Sequence, residues 1–158
     1  MTVNSKSVRD RRDLSFQSME DLLADAEDLV ASPNTRTLGN WPLRQLLTHL
    51  ACTIENSMDG FQVQAPWLVR LIGPFLKRRM LTRKMSPGIK LPRNADATSF
   101  PETESNMAAL ERLRLAIARS KHDTMAARHP AFGPMTHDEW YQLHLRHAEL
   151  HLSFARPH

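Results

Sequence analysis

Apolar residues recur at helical spacing in four long segments of the chain. Between Phe16 and Val30 they fall at Met19, Leu22, Leu23, Ala26, Leu29 and Val30, a three-and-four rhythm that lines one face of an α-helix. Ser15 or Ser18 can cap this helix, and Ser32-Pro33-Asn34 ends it. Trp41-Pro42 opens a second helix, since proline suits the first turn. Its stripe is Leu43, Leu46, Leu47, Leu50, Ile54, Met58 and Phe61, with His49 at the edge. A third helix opens at Pro101, with Ser99 as its cap, carries Met107, Leu110, Leu113, Leu115 and Ile117, and ends near Ser120. Thr136 and Glu139 form a capping box that starts a fourth, which runs to about Phe154 and stops before Pro157. The alternation from Tyr141 to Arg146 also fits a strand. The capping box, the length and the lack of β-branched residues decide for helix.

The stretch between the second and third helices has a weaker pattern. Pro66 to Pro74 reads as a short apolar helix or as a broken extension of the second. A basic cluster follows, Lys77-Arg78-Arg79 with Arg83-Lys84, and then the proline-rich run Ser86 to Pro92, which must be irregular. Long loops of this kind in a compact domain are usually functional or floppy. The economical architecture is all-α: a four-helix bundle with a short extra helix and a long loop between helices two and three. Residues 1–13 are polar and basic and read as a flexible N-terminus, and residues 14–157 read as a single helical domain.

Composition narrows this picture only slightly. At 158 residues the chain can bury a substantial core. Its one cysteine, Cys52, excludes an internal disulfide and fits a reducing, cytoplasmic setting. The N-terminus lacks the apolar core of a signal peptide. The greasiest stretch, Ala65 to Leu76, is interrupted by Arg70, Gly73 and Pro74 and is too short to span a bilayer. A net charge of +4 with scattered acids and bases reads as an ordinary surface, with no nucleic-acid or membrane partner expected. The basic cluster alone supports a polyanion-binding alternative.

The candidate chemistry lies in the histidines. His147 and His151 are an i, i+4 pair, about 40° apart around a helix axis, and so face the same way. Such a pair can chelate one divalent ion, although solvated or hydrogen-bonded histidines share that spacing. His144 lies one turn earlier on the same stripe, and the pair His144–His147 is also compatible with chelation. As a neighbour, His144 would support a ligand, face a substrate or sit in the core. Trp140 belongs to the same stripe and can wall a pocket. His49 joins the pair if the second and fourth helices pack side by side. Cys52, one turn after His49, reads as a fourth ligand or as a small buried hydrophobe. His129, before a proline in a turn-rich connector, reads as a supporting or capping group. His122, His137 and His158 read as exposed and incidental.

Several of these segments together resemble a known family. Gly39-Asn40-Trp41-Pro42 with His49-Leu50 resembles the opening of DinB-like proteins. The resemblance extends to His129-Pro130, Phe132-Gly133, Thr136, Glu139-Trp140 and the run His147 to Phe154. Ser57-Met58-Asp59-Gly60-Phe61 and Met85 to Lys90 also look like one bacterial branch of the DinB/YfiT-like metalloenzyme superfamily, a branch of uncharacterised function. The likeness covers about Leu14 to Pro157. It implies an up-down-down-up four-helix bundle and a divalent metal, zinc or nickel foremost, on His49, His147 and His151. It also implies a homodimer, and a small-molecule substrate used with a low-molecular-weight thiol. Characterised members of the superfamily are metal-dependent thiol transferases, isomerases or hydrolases. One departure is Leu150, where members of this branch often carry a histidine beside the last ligand.

Three histidines leave coordination positions open, which is a catalytic pattern. Hydrolysis of the metalloprotease kind wants a carboxylate base nearby. Glu149 lies about 200° from His147 around the helix and points away, and Asp138 and Glu139 are two turns below. A metal-dependent, thiol-using transferase is therefore expected ahead of a hydrolase. A non-catalytic helical module, binding a metal or another protein, is the alternative.

Overall fold

In a computed structural model, residues 3–62, 65–88 and 105–157 are described. Among them are five α-helices: α1 Met19–Ala31, α2 Leu43–Asp59, α3 Trp67–Thr82, α4 Asn106–Ser120 and α5 His137–Leu152. Strands are confined to a two-residue antiparallel ribbon, β1 Arg36–Thr37 with β2 Ala155–Arg156. The chain is mostly helical, as its patterning requires. No described helix is long and apolar enough to cross a membrane.

The helix starts follow from local hydrogen bonding. Ser18 caps α1: its hydroxyl accepts from the Asp21 N–H, while the Asp21 carboxylate accepts from the Ser18 N–H. Thr136 and Glu139 repeat the device at α5. These reciprocal bonds satisfy donors that a helix end leaves without partners. The cap of α4 is Ser105, whose hydroxyl accepts from Ala108 N–H. The Ser99 cap and Pro101 start expected for this helix lie outside the described residues.

The main core gathers one stripe from each of four helices. Leu22, Ala26 and Leu29 of α1 and Leu43, Leu47 and Ile54 of α2 meet Leu110, Leu113 and Ile117 of α4 and Leu145, Ala148 and Leu152 of α5. α2 packs against α4 and α5, and α1 packs against the same two. A smaller core forms where Met125, Met135, Trp140 and Leu143 meet partly buried Met80, Leu81 and Phe132.

One expectation needs correction. The segment read as a short apolar helix is α3, sixteen residues long, and it runs through Pro74 and the basic cluster. Proline removes one helical hydrogen bond, which made Gly73-Pro74 look like a stop. Tertiary contacts outweigh that loss: Lys77 pairs with Glu139 at 2.7 Å and donates to Pro134 O at 3.3 Å. Gly73 lies so close to the connector before α5 that an added Cβ would sit 2.0 Å from Ala131 O. Before Leu14, Arg12 makes contacts with the helical domain. Arg12 pairs with Asp25 at 2.6 Å and donates to the Leu152 and Ala155 carbonyls at 3.0 and 2.6 Å. Its N–H donates to Ser153 O at 3.0 Å. The tail thereby satisfies carbonyls that the end of α5 leaves open.

Gly73→Ala is expected to force α3 off the Ala131 carbonyl, at a cost of about 1–3 kcal/mol. Urea unfolding of the variant against the parent checks this. An unchanged midpoint would show that α3 does not dock through this contact.

Candidate metal centre

Helix periodicity and helix packing together assemble the site. On α5, His147 and His151 stand one turn apart and point to one side. On α2, His49 lies within the buried run Leu46 to Cys52, where that helix faces α5. The ring nitrogen His147 Nε2 lies 3.0 Å from His49 Nε2 and 2.9 Å from His151 Nε2. All three ligand atoms fall within 4.8 Å of one another. Among the described residues, this is the group of three or more potential ligand side chains that converges in this way.

The donor chemistry suits a cation better than it suits mutual hydrogen bonding. A neutral imidazole Nε2 either donates one hydrogen or offers one in-plane lone pair. His147 Nε2 therefore cannot make two good hydrogen bonds to both neighbours at once. A cation accepts lone pairs from all three rings together. Two nitrogens bound at about 2.0–2.1 Å to one ion are separated by about 2.9 Å at a right angle and about 3.4 Å at a tetrahedral angle. The two close contacts match the lower part of that range.

The rings are held neutral, as metal ligands must be. Burial pushes His49 well below the usual histidine range, and His147 beside it pushes further. Burial does the same to His151, aided by His147 and His49. It lowers His147 to about 4.

An aromatic wall completes the centre. Trp41 lies parallel to the His151 ring at 5.4 Å and meets the His49 ring at 64°, also at 5.4 Å. The β1–β2 ribbon and the bond from Leu38 N–H to Phe154 O, 2.8 Å, tie the segment carrying Trp41 to the end of α5. The sequence reading did not single out Trp41 for this place; its position just before Pro42 was the available signal.

Trp140 is instead the hub of a second aromatic group. It stacks on His144 at 5.4 Å and on Phe61 at 5.6 Å, and packs against His129 at 5.3 Å. Its indole N–H donates to Ala127 O at 3.0 Å. His144 is buried, with Nε2 3.1 Å from Ser57 Oγ. The Ser57 hydroxyl donates to Ile54 O at 2.6 Å, so the His144 ring must donate to Ser57. Burial lowers His144 to about 3, with His147 and His129 contributing. His129 Nδ1 accepts the Ala131 and Phe132 N–H groups, both at 3.0 Å, so it organises the connector. Burial, then His147, lowers it to about 4.

The remaining candidates serve elsewhere. Cys52 is buried beside Arg112 and Glu55, outside the histidine group, and burial raises its thiol despite the opposing pull of Arg112. Glu149 accepts the Phe16 N–H at 2.8 Å and pairs with Arg146 at 2.9 Å. Glu139 is held by Lys77 and the α5 cap. His137, expected to be incidental, is half-buried, and its Nδ1 accepts from Met125 N–H at 3.2 Å.

Among known families, the chain matches one described as "Protein of unknown function (DUF1569)" over residues 8–158, and it belongs to that family. No curated protein and no solved structure matches it.

The neutral histidines have a consequence for stability. Their folded pKa values lie below the unfolded value of about 6.5, so between the two the unfolded chain binds more protons. Stability is then full above about pH 6.5 and falls as pH drops, by up to about 1.4 kcal/mol per pH unit for each histidine. Chelator-treated protein is expected to keep one urea midpoint from pH 8 to 7. The midpoint should fall from about pH 6.5 to 5, above the range where most carboxylates titrate. His144→Gln should make that fall shallower. A flat profile across the window would contradict neutral burial of these rings.

Proposed function

We propose that this member of the DUF1569 family is a metal-dependent enzyme whose divalent ion is held by His49, His147 and His151. The carrying observation is the approach of three neutral imidazole nitrogens, two pairs of them at 2.9–3.0 Å. Zinc or nickel is the ion of choice, since imidazole suits both. The likeness of the chain's motifs to DinB-like proteins supports the same ligand set. It also supports an up-down-down-up four-helix bundle over residues 14–157 and a homodimer, while the single cysteine supports a cytoplasmic setting.

The proposed reaction is transfer of a low-molecular-weight thiol to a small electrophile, with hydrolysis as the variant. A divalent ion on three imidazoles supplies Lewis acidity, which makes a thiol or a water nucleophilic near neutral pH. The protein's own part is to hold the three nitrogens neutral and to shield them with the Trp41 ring. The α5 carboxylates Glu139 and Glu149 are both engaged in ion pairs, so neither is placed as a hydrolytic base, which favours the thiol.

Protein purified without a histidine tag is expected to carry about one divalent ion per chain by elemental analysis. His49→Ala and His151→Ala should each weaken metal binding by more than the roughly 10–100-fold that loss of an outer partner costs. Full occupancy in both variants would remove the site. Turnover of a panel of thiols with small electrophiles should be lost with chelator and restored by metal. Stoichiometric metal without any turnover would favour the non-catalytic metal-binding module.

A further inference from the structure

Helix α3 turns its greasiest residues outward. Trp67 is 74% exposed, Leu71 61% and Phe75 85%, with Leu68, Ile72 and Leu76 between 46% and 51%. Soluble surfaces rarely gather large apolar side chains so densely unless the patch meets a partner. The face toward the protein carries Gly73 against Ala131, Lys77 paired with Glu139, and Met80 and Leu81 against the smaller core. The helix thus docks through its second half and leaves a larger apolar face of its first half in solvent.

Charge names the partner. From Gly60 to Ala95 the chain contains no aspartate or glutamate. Lys77 is used by Glu139, and Lys84 pairs with Asp13. Arg78, Arg79 and Arg83 are exposed. At about 100° per residue, Arg78, Arg79, Trp67, Leu68, Leu71 and Ile72 all lie within about 80° of Phe75 around the helix axis, and Arg83 caps the end of the helix. One outward face is therefore apolar in its first half and cationic in its second. A nucleic acid would meet the arginines but has no use for a stripe of exposed leucine and isoleucine. A second copy of the chain would bring the same apolar half and the same arginines, with no carboxylate from its own α3 to meet them. An anionic bilayer surface offers both an acyl boundary and negative headgroups.

We propose that α3 docks this protein onto anionic phospholipid membranes. Trp67, Leu68, Leu71 and Phe75 enter the boundary between headgroups and acyl chains, and Arg78, Arg79 and Arg83 rest on the phosphates. The helix lies on the bilayer and does not cross it.

Vesicle flotation of the intact protein tests this, with pure phosphatidylcholine set against phosphatidylcholine mixed with phosphatidylglycerol. Binding is expected to the mixed vesicles, weakening as salt rises. Tryptophan emission should shift to the blue and be quenched by brominated lipid, and Trp67→Phe should abolish both signals. Each basic residue is worth about fivefold, so the triple change Arg78→Ser, Arg79→Ser, Arg83→Ser should weaken partitioning by about a hundredfold. These side chains are exposed, so an unchanged thermal midpoint will show that the variants fold. Phe75→Ala should weaken vesicle binding as well. The proposal is overturned by absence of binding to the mixed vesicles or by equal binding to both kinds. It is also overturned if Phe75→Ala has no effect while oligonucleotides compete, which would mark a plain polyanion surface. A stable dimer that protects Trp67 from quencher and ignores vesicles would assign the face to a second copy.

Discussion

The seam between α2 and α5 carries the most demanding constraint in this molecule. It brings three imidazole nitrogens to 2.9–3.0 Å contacts while keeping the rings uncharged. Each ring would gain by protonation in water below about pH 6.5, and burial removes that gain. The seam must therefore hold its axial register without electrostatic help from the histidines. The main core does this through Leu47 and Ile54 of α2 and Leu145 and Leu152 of α5, all buried. The β1–β2 ribbon adds a second restraint at the far end of α5, and it is the same ribbon that sets Trp41 on His151.

A second polar layer lies one to two turns from the first along α5. His144, Ser57 and the Ile54 carbonyl form a chain in which each hydrogen has a defined acceptor. The His129 ring takes two backbone N–H groups of its own connector. Buried polar groups satisfied in this way rigidify their surroundings, because breaking one bond leaves a desolvated partner behind. The Trp140 ring joins the two groups. The connector in turn supports α3, through the close approach of Gly73 to Ala131. A local hydrogen-bond pattern around the histidines is thus coupled to the placement of the most exposed helix.

Legibility in the sequence followed the range of the interactions. The starts of α1 and α5 could be read because a capping box uses residues three apart. The His147–His151 pair could be read for the same reason. Helix α3 could not be read in full, because what carries it through Pro74 is contact with Glu139, Pro134 and Ala131, all over fifty residues away. The contacts of Arg12 were equally hidden, since they depend on Asp25 and on the last carbonyls of α5. Trp41 and Trp140 have similar apolar settings in the sequence. Which of them walls the histidine group is decided by a ribbon of two residues per strand, too short to show a period.

By itself the sequence determined the helical class, most helix boundaries, most buried positions of α1, α2 and α5 and the chelating spacing on α5, since these depend on periodicity and on bonds within one turn; on α4, Met107 and Leu115, read onto the apolar side, are exposed. Tertiary structure decided that His49 reaches His147, that Cys52 does not join them, and that Trp67, Leu71 and Phe75 of α3 face outward. Those outcomes depend on how helices far apart in the chain are rotated and aligned against each other. That alignment is set by the summed packing of the core, and no single segment encodes it.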